Sequence, residues 1–428
     1  MIIKNFNQLA TTPLRKQALQ IAEAGLEAIQ TTNLTNAGFQ YDESSDLLTV
    51  KGQQFSLVGF ERVFVVGAGK VVAPAASVIE QKLGDRINDG LIIDIVPSNL
   101  KKIKSAVGTH PLPSSVNVSA TKEIIDLVSN AGEKDLIITL IGGGGSSLLC
   151  APADVTLEEE RLITQALMDT GTDIKEMNTV RKHFSLVKGG NLAKFAYPAT
   201  VISLIFSDVP GDDISEVASG PTVPDSSTVD DAEAILYKHD ILMKCSLKSC
   251  GLRETEKDPK YFEKVHNILF CSALDSLAAM KQEAEKLGLN VRVWDTDYSG
   301  EASVIGKQIV NETQPGECVI ATGESVVTME VSGSGSGGRN QEMALAAASV
   351  IGQDCVFAAI ASDGRDNSDV AGAIVDSSTR EKITSLGNNI EELLANHNEY
   401  AALLDVEASV ITGITGSNVS DFFICIKK

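Results

Sequence analysis

Several features that define whole classes of proteins are missing from this sequence of 428 residues. No apolar run reaches the length of about 18 residues that a membrane-spanning helix requires. Residues 1–10 lack the uninterrupted apolar segment and the cleavage signature of a secretory signal peptide. The sequence therefore predicts a cytoplasmic protein without a membrane partner.

Cysteine and histidine are also sparse. The seven cysteines form no C-x-x-C pair, and none of the five histidines is spaced to share a metal ion with another histidine or with a cysteine. This pattern argues against a disulfide framework and predicts a reduced protein without structural zinc.

Basic residues are few relative to acidic ones. The sequence has 36 Lys and Arg against 57 Asp and Glu, which gives a net charge of −21. Nucleic-acid binding depends on clustered basic charge, and the acidic balance opposes it. The composition therefore predicts no nucleic-acid partner, and an anionic small-molecule substrate would need a local group of basic residues.

The chain is too long for one hydrophobic core, and its pattern indicates two α/β domains. After a helix predicted at 13–30, helical segments alternate with apolar strands at 63–66, 91–94, 135–141 and 201–206. A polar stretch follows from 224 to 266. A second series has strands at 268–271, 291–294, 318–321, 326–331, 356–360 and 422–426. We predict an N-terminal domain over 1–245 and a C-terminal domain over 246–428.

The glycine run at 142–147 (Gly-Gly-Gly-Gly-Ser-Ser) follows the buried strand 135–141. Unhindered backbone N–H groups at the end of a strand can surround an anion, and a tight turn is the alternative. The run does not match a Walker A loop, because no Lys-Ser or Lys-Thr follows it. We expect Gly143, Gly144, Gly145 and Ser146 to bind phosphate.

The segment Gly-Ala-Gly-Lys at 67–70 is half of a dinucleotide-binding fingerprint, with Asp94 in place of the ribose-binding acid. A dehydrogenase is therefore one interpretation. The fingerprint does not account for Lys70, because a cation at a helix start opposes the helix dipole unless an anion lies between them. Lys70 is a candidate functional residue, with a solvated lysine as the alternative.

A basic helical segment begins at Asn178. Asn178, Arg181 and Lys188 recur at helical spacing on one face, and Lys182 lies next to them. In so acidic a protein these residues are candidates for an anion or phosphate clamp, and a solvated basic face is the alternative.

Acidic loops offer candidate metal ligands in both halves of the chain. Asp208 and Asp212 lie in the 207–213 loop that leaves a strand, and Asp363 lies in the 362–369 loop. Such carboxylates can bind Mg²⁺ or supply a general base, or they can cap turns. Asp208 is the residue that we favour for chemistry.

A second glycine-rich loop, 332–339, ends in Arg339 at the start of a predicted helix. Arg339 is placed to meet a second anion, and a flexible linker is the alternative. Glycine loops, cations and carboxylates together indicate phosphoryl transfer, which relies on positioning and charge neutralisation.

Five motifs follow one another between residues 180 and 342: Val-Arg-Lys-His at 180–183, Lys-Gly-Gly at 188–190, Ser-Asp-Val-Pro-Gly-Asp-Asp at 207–213, Ser-Gly-Pro-Thr-Val-Pro-Asp at 219–225, and Gly-Gly-Arg-Asn-Gln-Glu at 337–342. In this order they resemble the glycerate 2-kinase family with its C-terminal MOFRL domain.

The resemblance implies that ATP and D-glycerate give 2-phosphoglycerate and ADP, with Mg²⁺ as cofactor. It implies a Rossmann-like N-terminal parallel sheet with helices on both faces, a MOFRL-type α/β domain, and an active site in the cleft between the domains. The family's key lysine falls on Lys70 and its key arginine on Arg339, with Gly323 and Glu324 at the substrate.

The sequence departs from the family at three places, namely 114–115, 322–326 and 363–369. These departures leave open which sugar acid is preferred. The alternatives are a kinase of a related sugar acid, an NAD(P)H-dependent hydroxypyruvate reductase, which is a name that some relatives carry, and a binding or sensor protein without turnover. We expect a small-molecule substrate and a nucleotide as ligands, with a homodimer as a further possibility.

Overall fold

The computed structural model describes residues 1–247, 251–294, 300–329 and 335–428. These residues form two compact units. The central unit is Thr31–Phe270, and the terminal unit joins Met1–Gln30 to Cys271–Lys428. The terminal unit is therefore formed from both ends of the sequence, and the central unit is formed from the continuous segment between them.

The helices of the described residues are numbered in chain order. They are α1 (Phe6–Leu9), α2 (Pro13–Ala28), α3 (Thr31–Gly38), α4 (Val72–Leu83), α5 (Ser115–Ser129), α6 (Gly145–Leu148), α7 (Leu157–Asp169), α8 (Ile174–His183), α9 (Asn191–Ala196), α10 (Val229–Lys238), α11 (Ile241–Lys244), α12 (Ala273–Lys286), α13 (Ala302–Glu312), α14 (Arg339–Val350), α15 (Ser377–Ser385), α16 (Ile390–Ala395) and α17 (Glu399–Asp405). No helix within these ranges is long and apolar enough to cross a membrane.

The strands are numbered in the same way. They are β1 (Phe39–Asp42), β2 (Leu47–Val50), β3 (Gln53–Ser56), β4 (Arg62–Ala68), β5 (Asp89–Asp94), β6 (Lys104–Val107), β7 (Asp135–Ile141), β8 (Thr200–Phe206), β9 (Val265–Cys271), β10 (Asn290–Val293), β11 (Glu317–Gly323), β12 (Cys355–Ala361), β13 (Gly372–Asp376), β14 (Ser409–Val410) and β15 (Asp421–Lys427).

The central unit is built on a six-stranded sheet with the order β6-β5-β4-β7-β8-β9. The strands from β6 to β8 pair in parallel. If the six strands are counted in chain order, the arrangement is 3-2-1-4-5-6, the order of dinucleotide-binding doubly wound sheets. The strand order reverses between β4 and β7, and ligands of such sheets bind beyond the strand ends at that place.

Continuous apolar runs explain why these strands lie in the interior. Every residue of β7 is buried, and six of the seven residues of β4 are buried. Val66, Ile93 and Ile137 from the sheet pack with Ile124 of α5 and Leu148 of α6 in one core cluster. A separate antiparallel sheet, β1-β2-β3, also belongs to this unit.

The terminal unit contains a mixed sheet with the order β10-β11-β15-β12-β13-β14. Only β10 and β11 pair in parallel among the described strand pairs of this sheet. The last strand, β15, lies between β11 and β12. Helix α14 is buried along most of its length, and its Met343 packs with Phe357 and Phe423 in the core of this unit.

Helix α2 begins at an N-cap typical of helices, because Thr12 accepts a hydrogen bond from the Arg15 N–H and Pro13 occupies the first turn. Its Gly25 lies against Met280, and a Cβ added there would stand 2.8 Å from the Met280 Cγ. The helix therefore packs on α12 within the terminal unit, although it comes first in the chain.

Most predicted elements are confirmed, and two strand predictions are wrong in part. The strand predicted at 268–271 is β9, which lies next to β8 in the central sheet and not in the second series. Within the predicted strand 326–331, Val326 forms only an isolated bridge to Glu301, and 330–331 lie outside the described residues. The compact units meet at residues 30/31 and 270/271, and the predicted domains, 1–245 and 246–428, stay a prediction.

A buried ion pair ties α2 to β13 and α15. The Arg15 Nε donates to Asp376 Oδ2 at 2.6 Å, and the guanidinium also donates to the Ile374 carbonyl and to Thr379 Oγ1. Burial alone would raise the pKa of Asp376, but hydrogen bonds from Ser378 and the charge of Arg15 keep that pKa below its usual value.

We predict that Arg15→Ala lowers the free energy of unfolding by about 3–5 kcal/mol, because it leaves a buried carboxylate without its cation. Arg253→Ala is the matched control, since Arg253 pairs with Asp154 at 3.5 Å and both side chains are more than half exposed. Its effect is expected within about 1 kcal/mol. Urea unfolding followed by circular dichroism measures both, and equal losses would contradict the assignment.

Candidate functional site

The loops that follow β4 and β7 meet at the place where the strand order reverses. Gly69 has φ +148°, and a Cβ added to it would stand 2.6 Å from the Gly142 Cα. The Lys70 N–H donates to the Gly143 carbonyl at 2.8 Å, which fixes one loop on the other. The two predicted loops therefore form one structure.

The glycine run presents free backbone donors at this junction. Among the described residues, the N–H groups of Gly143 and Gly144 donate to no backbone carbonyl. Gly144 has φ +73°, which favours glycine, and it precedes the short helix α6. Unpaired N–H groups in such a loop can bind an anion.

Lys70 and His110 lie beside the same glycine. A Cβ added to Gly144 would stand 2.9 Å from the His110 Cδ2 and 3.3 Å from the Lys70 Cε. His110 keeps an exposed edge, but burial of its ring lowers its pKa to about 4, and the charges of Lys70 and Arg181 act in the same direction. The imidazole is therefore neutral at physiological pH and lies near two cations.

Arg181 is a buried cation of this site, and it has no hydrogen-bond or ion-pair partner in the part of the chain that the structure describes. It lies on α8 and is only 9% exposed. Burial lowers the pKa of its guanidinium to about 10, although Glu160 opposes the shift. Within the described ranges, the guanidinium forms no hydrogen bond and no ion pair. A buried, unpaired arginine costs free energy unless an anion binds to it.

The other two predicted basic residues are already engaged. The Lys182 Nζ lies 3.3 Å from Glu216 and 3.3 Å from Asp225. Lys188 is fully buried, donates to the Leu149 carbonyl at 3.2 Å and lies 3.8 Å from Glu160. Carboxylates thus neutralise these ammonium groups, and of the predicted clamp only Arg181 remains for an external anion.

A series of side-chain hydrogen bonds begins at Ser146 of the glycine run and holds this loop in place. The Ser146 and Ser219 hydroxyls lie 2.9 Å apart, and the Ser219 hydroxyl donates to Asn178 Oδ1 at 2.9 Å. The Asn178 amide in turn donates to Glu216 Oε2 at 2.7 Å. Ala218 and Ser219 both have positive φ, so this turn is strained, as is frequent where residues are held for function.

Asp94 does not occupy the position of a ribose-binding acid. Its side chain is 1% exposed and accepts hydrogen bonds from the N–H groups of Ala73, at 2.9 Å, and Ile95. Burial raises the pKa of Asp94, and these hydrogen bonds oppose the shift. The Asp94 carboxylate therefore caps the first turn of α4. The partial dinucleotide-binding fingerprint at 67–70 is left without a ribose-binding acid at this position.

The predicted metal ligands of the central unit lie in the loop after β8. Asp208 and Asp212 are half-buried, and Asp212 has φ +53°. The neighbouring Asp213 accepts from the N–H and the hydroxyl of Ser215, which lowers its pKa and identifies it as a turn cap. Mg²⁺ commonly takes only one or two carboxylates together with phosphate oxygens, so Asp208 and Asp212 fit its donor preference.

In the terminal unit, Arg339 is held by two carboxylates. Its Nε donates to Asp421 Oδ2 at 2.6 Å, and its Nη1 pairs with Glu324, which follows Gly323 at the end of β11. Burial acts against the charge of Arg339, but Asp421 and Glu324 outweigh it and raise the pKa of the guanidinium. Asp421 is 2% exposed, and burial raises its pKa to about 7 although Arg339 opposes the shift.

The N-terminus of α14 is occupied by a protein carboxylate. Asp366 accepts from the N–H groups of Asn340, at 3.0 Å, and Gln341, at 2.8 Å. Of the predicted loop 332–339, residues 332–334 lie outside the described residues. The predicted metal ligand Asp363 accepts from the Arg365 N–H at 2.9 Å and so caps its own loop, which leaves its assignment to a metal as a prediction.

Sequence reasoning missed several residues at these places. The sequence pattern assigns no role to His110, and it does not distinguish Asp366 from the other carboxylates of the acidic loop 362–369. Asp421 immediately precedes the apolar run of β15, and nothing in its neighbourhood indicates a partner 82 positions away. Only the tertiary structure pairs these residues with their cations and helix ends.

Two families match the sequence. Residues 17–249 match the family described as Domain of unknown function (DUF4147), and residues 317–421 match the MOFRL family. The first match covers more than half of the chain, and the second covers most of the mixed sheet of the terminal unit.

Relatives with assigned names match over most of their length. The chain is 37% identical to the glycerate 2-kinase of Pyrococcus horikoshii, over 96% of this chain and 98% of that protein. It is 35% identical to the D-glycerate 2-kinase of Thermotoga maritima, over 86% and 91%. A crystal structure of glycerate kinase from Thermotoga maritima superposes with a TM-score of 0.81 at 31% identity, covering 96% of this chain and 99% of that one. On these matches, the chain belongs to the glycerate 2-kinase family with a C-terminal MOFRL domain.

Proposed function

We propose that this protein transfers the γ-phosphoryl group of ATP to the 2-hydroxyl of D-glycerate, giving 2-phosphoglycerate and ADP. The observation that carries the proposal is the buried, unpaired Arg181 near Lys70 and His110, at the junction of the two glycine-containing loops. The names of the relatives and the family membership support the same activity.

Both substrates are anions, and the loop junction offers what anions need. The Arg181 guanidinium can bind a carboxylate or a phosphoryl group through two parallel hydrogen bonds. The ammonium of Lys70 supplies a second charge, and the Gly143 and Gly144 N–H groups supply uncharged donors. Phosphoryl transfer requires this positioning and charge neutralisation more than it requires a covalent nucleophile.

Asp208 is the proposed general base for the glycerate hydroxyl, or a ligand of Mg²⁺ together with Asp212. When bound, Mg²⁺ would neutralise charge on the β- and γ-phosphoryl oxygens. Asp363 remains a proposed further ligand. In the terminal unit we propose that Arg339 contacts a substrate anion in the orientation that Asp421 and Glu324 impose, with Gly323 close to the same anion.

The alternative of a nicotinamide-dependent reductase is less well supported. The segment 67–70 would need an acid for the ribose hydroxyls, and Asp94 is buried as the cap of α4. A kinase acting on a related sugar acid would use the same charged groups, and only its product distinguishes it.

We predict that the purified protein releases ADP from ATP and Mg²⁺ only when D-glycerate is added, without any change in NADH absorbance. Phosphorus NMR of the product, compared with 2- and 3-phosphoglycerate standards, identifies the hydroxyl that reacts. A panel of related sugar acids measured at equal concentration identifies the preferred substrate. Oxidation of NADH by hydroxypyruvate without ADP release would contradict the kinase.

We predict opposite effects on stability for two neighbouring substitutions. Arg181→Met removes a buried, unpaired charge, so the free energy of unfolding is expected to stay the same or increase. Lys182→Met leaves Glu216 without its cation and leaves Asp225 with only Lys257, at 3.9 Å, and it is expected to cost about 3–5 kcal/mol.

Only the first substitution removes a proposed ligand of the substrate. Arg181→Met is therefore expected to lower kcat/KM at least about a hundredfold, as the loss of one preorganised donor does in other enzymes. Steady-state kinetics together with urea unfolding separates the two effects. A fully active Arg181→Met enzyme would remove Arg181 from the mechanism.

We predict that His110 makes stability depend on pH between its unfolded and folded pKa values, about 6.5 and about 4. In that window the unfolded chain binds more protons, so stability falls as the pH falls. His110→Gln removes this contribution of the histidine to the pH dependence of stability. The stability of the variant relative to the parent should therefore rise as the pH drops from about 7.5 to about 5. Urea unfolding at several pH values tests this, and a constant difference would contradict it.

A further inference from the structure

A second group of ionisable side chains lies in the terminal unit and has no role in the proposed transfer. It consists of Glu342 on α14, His397 in the turn before α17, and Glu399, the first residue of α17. One ligand atom from each residue lies within 4.8 Å of the other two. The His397 Nδ1 is 3.1 Å from Glu342 Oε2. Within the described ranges it is the only set of three such residues that could hold a metal ion.

The two carboxylates of this group are almost completely buried. Glu342 is 4% exposed and Glu399 is 1% exposed. The Glu399 Oε1 is buried and has no hydrogen-bond partner among the described residues. Buried carboxylates of this kind normally have a cation or several donors.

The nearby arginines do not supply that cation in this structure. A cavity of about 400 Å³ adjoins the group, and Arg339 and Arg365 also line it. Arg339 pairs with Asp421 and Glu324, and Arg365 is exposed and forms no ion pair with Glu342 or Glu399 among the described residues. Among the described residues, Glu342 is stabilised by His397 and by a hydrogen bond from the Ser303 side chain.

We propose that Glu342, His397 and Glu399 form a binding site for one divalent transition-metal ion, such as Zn²⁺ or Mn²⁺. An imidazole ligand favours these ions, whereas Mg²⁺ prefers oxygen ligands and retains water. Ligand atoms about 2.0–2.2 Å from a Zn²⁺ ion lie about 3–4 Å from one another, so small side-chain rotations bring the three atoms to that distance. With three protein ligands, a four-coordinate ion would keep one coordination position open towards the cavity.

The ion would link α14 to the start of α17 and the turn before it, and residues 335–338 contact the same region. The Tyr400 N–H on α17 donates to the Ser336 carbonyl at 3.1 Å, and Asn367 donates to the Gly337 carbonyl at 3.1 Å. Gly335 lies against the backbone of 396–397, and Gly337 lies against the Glu399 carboxylate. Metal binding is therefore expected to hold residues 335–338, which immediately precede Arg339, against the start of α17.

The test measures metal content and does not depend on kinase activity. The full-length chain is treated with EDTA, dialysed, equilibrated with Zn²⁺ or Mn²⁺, and analysed by mass spectrometry for bound metal. We expect about one ion per chain. His397→Ala and Glu399→Gln should weaken binding at least about a hundredfold, since the loss of an outer-shell partner alone costs about 10–100-fold. The control His239→Ala, which removes a histidine that pairs with Glu176 in the central unit, should bind like the parent.

Glu399→Gln also separates loss of the site from loss of the fold. It preserves shape and replaces a buried acid that lies beside Glu342 and lacks a hydrogen-bond partner for its Oε1 among the described residues, so the melting temperature of the metal-free variant should equal or exceed that of the parent. Added Zn²⁺ should then raise the melting temperature of the parent but not of Glu399→Gln. The proposal is overturned if the parent binds no ion, if both variants bind as the parent does, or if Mg²⁺ at equal concentration displaces the bound ion.

Discussion

The parallel pairing of β4 with β7 is the constraint on which the central unit depends. Because the two strands are parallel neighbours, their C-terminal ends lie side by side, and the loops that follow them meet there. The strand order reverses at this place. At Gly69 the loops touch backbone to backbone, since a Cβ there would stand 2.6 Å from the Gly142 Cα. This contact sets the positions of Lys70 and of the Gly143 and Gly144 N–H groups, and His110 lies against the same loop.

Both units bury charge, and in the central unit the presence of a carboxylate partner separates the structural cations from the one that we propose to bind substrate. Arg15, Lys182 and Lys188 each contact a carboxylate, and each stabilises the packing of its own unit. Arg181 has no such partner among the described residues and lies at the loop junction. In the terminal unit the uncompensated buried charge is negative, because Glu399 is buried beside other carboxylates. Sites of uncompensated charge are where an external ligand gains most by binding.

The strands of both large sheets were largely predictable, because a buried strand is a short apolar run whatever its neighbours are. The small sheet β1-β2-β3 was missed, since its strands are four residues long and partly exposed. Strand β9 was found but assigned to the wrong sheet. Its neighbour β8 is separated from it by a long polar stretch, and sequence patterns carry no information about which distant strands pair.

The sequence by itself determined the alternation of strands and helices, the two glycine loops, and the pool of charged residues from which a site could be chosen. Only the tertiary structure decided which charges are neutralised. Lys182 contacts Asp225, which is 43 residues away in the chain, and His397 contacts Glu342, which is 55 residues away. Lys182 and Arg181 are adjacent on α8 and belong to one motif, but among the described residues only Lys182 is paired with a carboxylate. The physical reason is that a charge is stabilised by what surrounds it in space, and its neighbours in the chain are a small part of that environment.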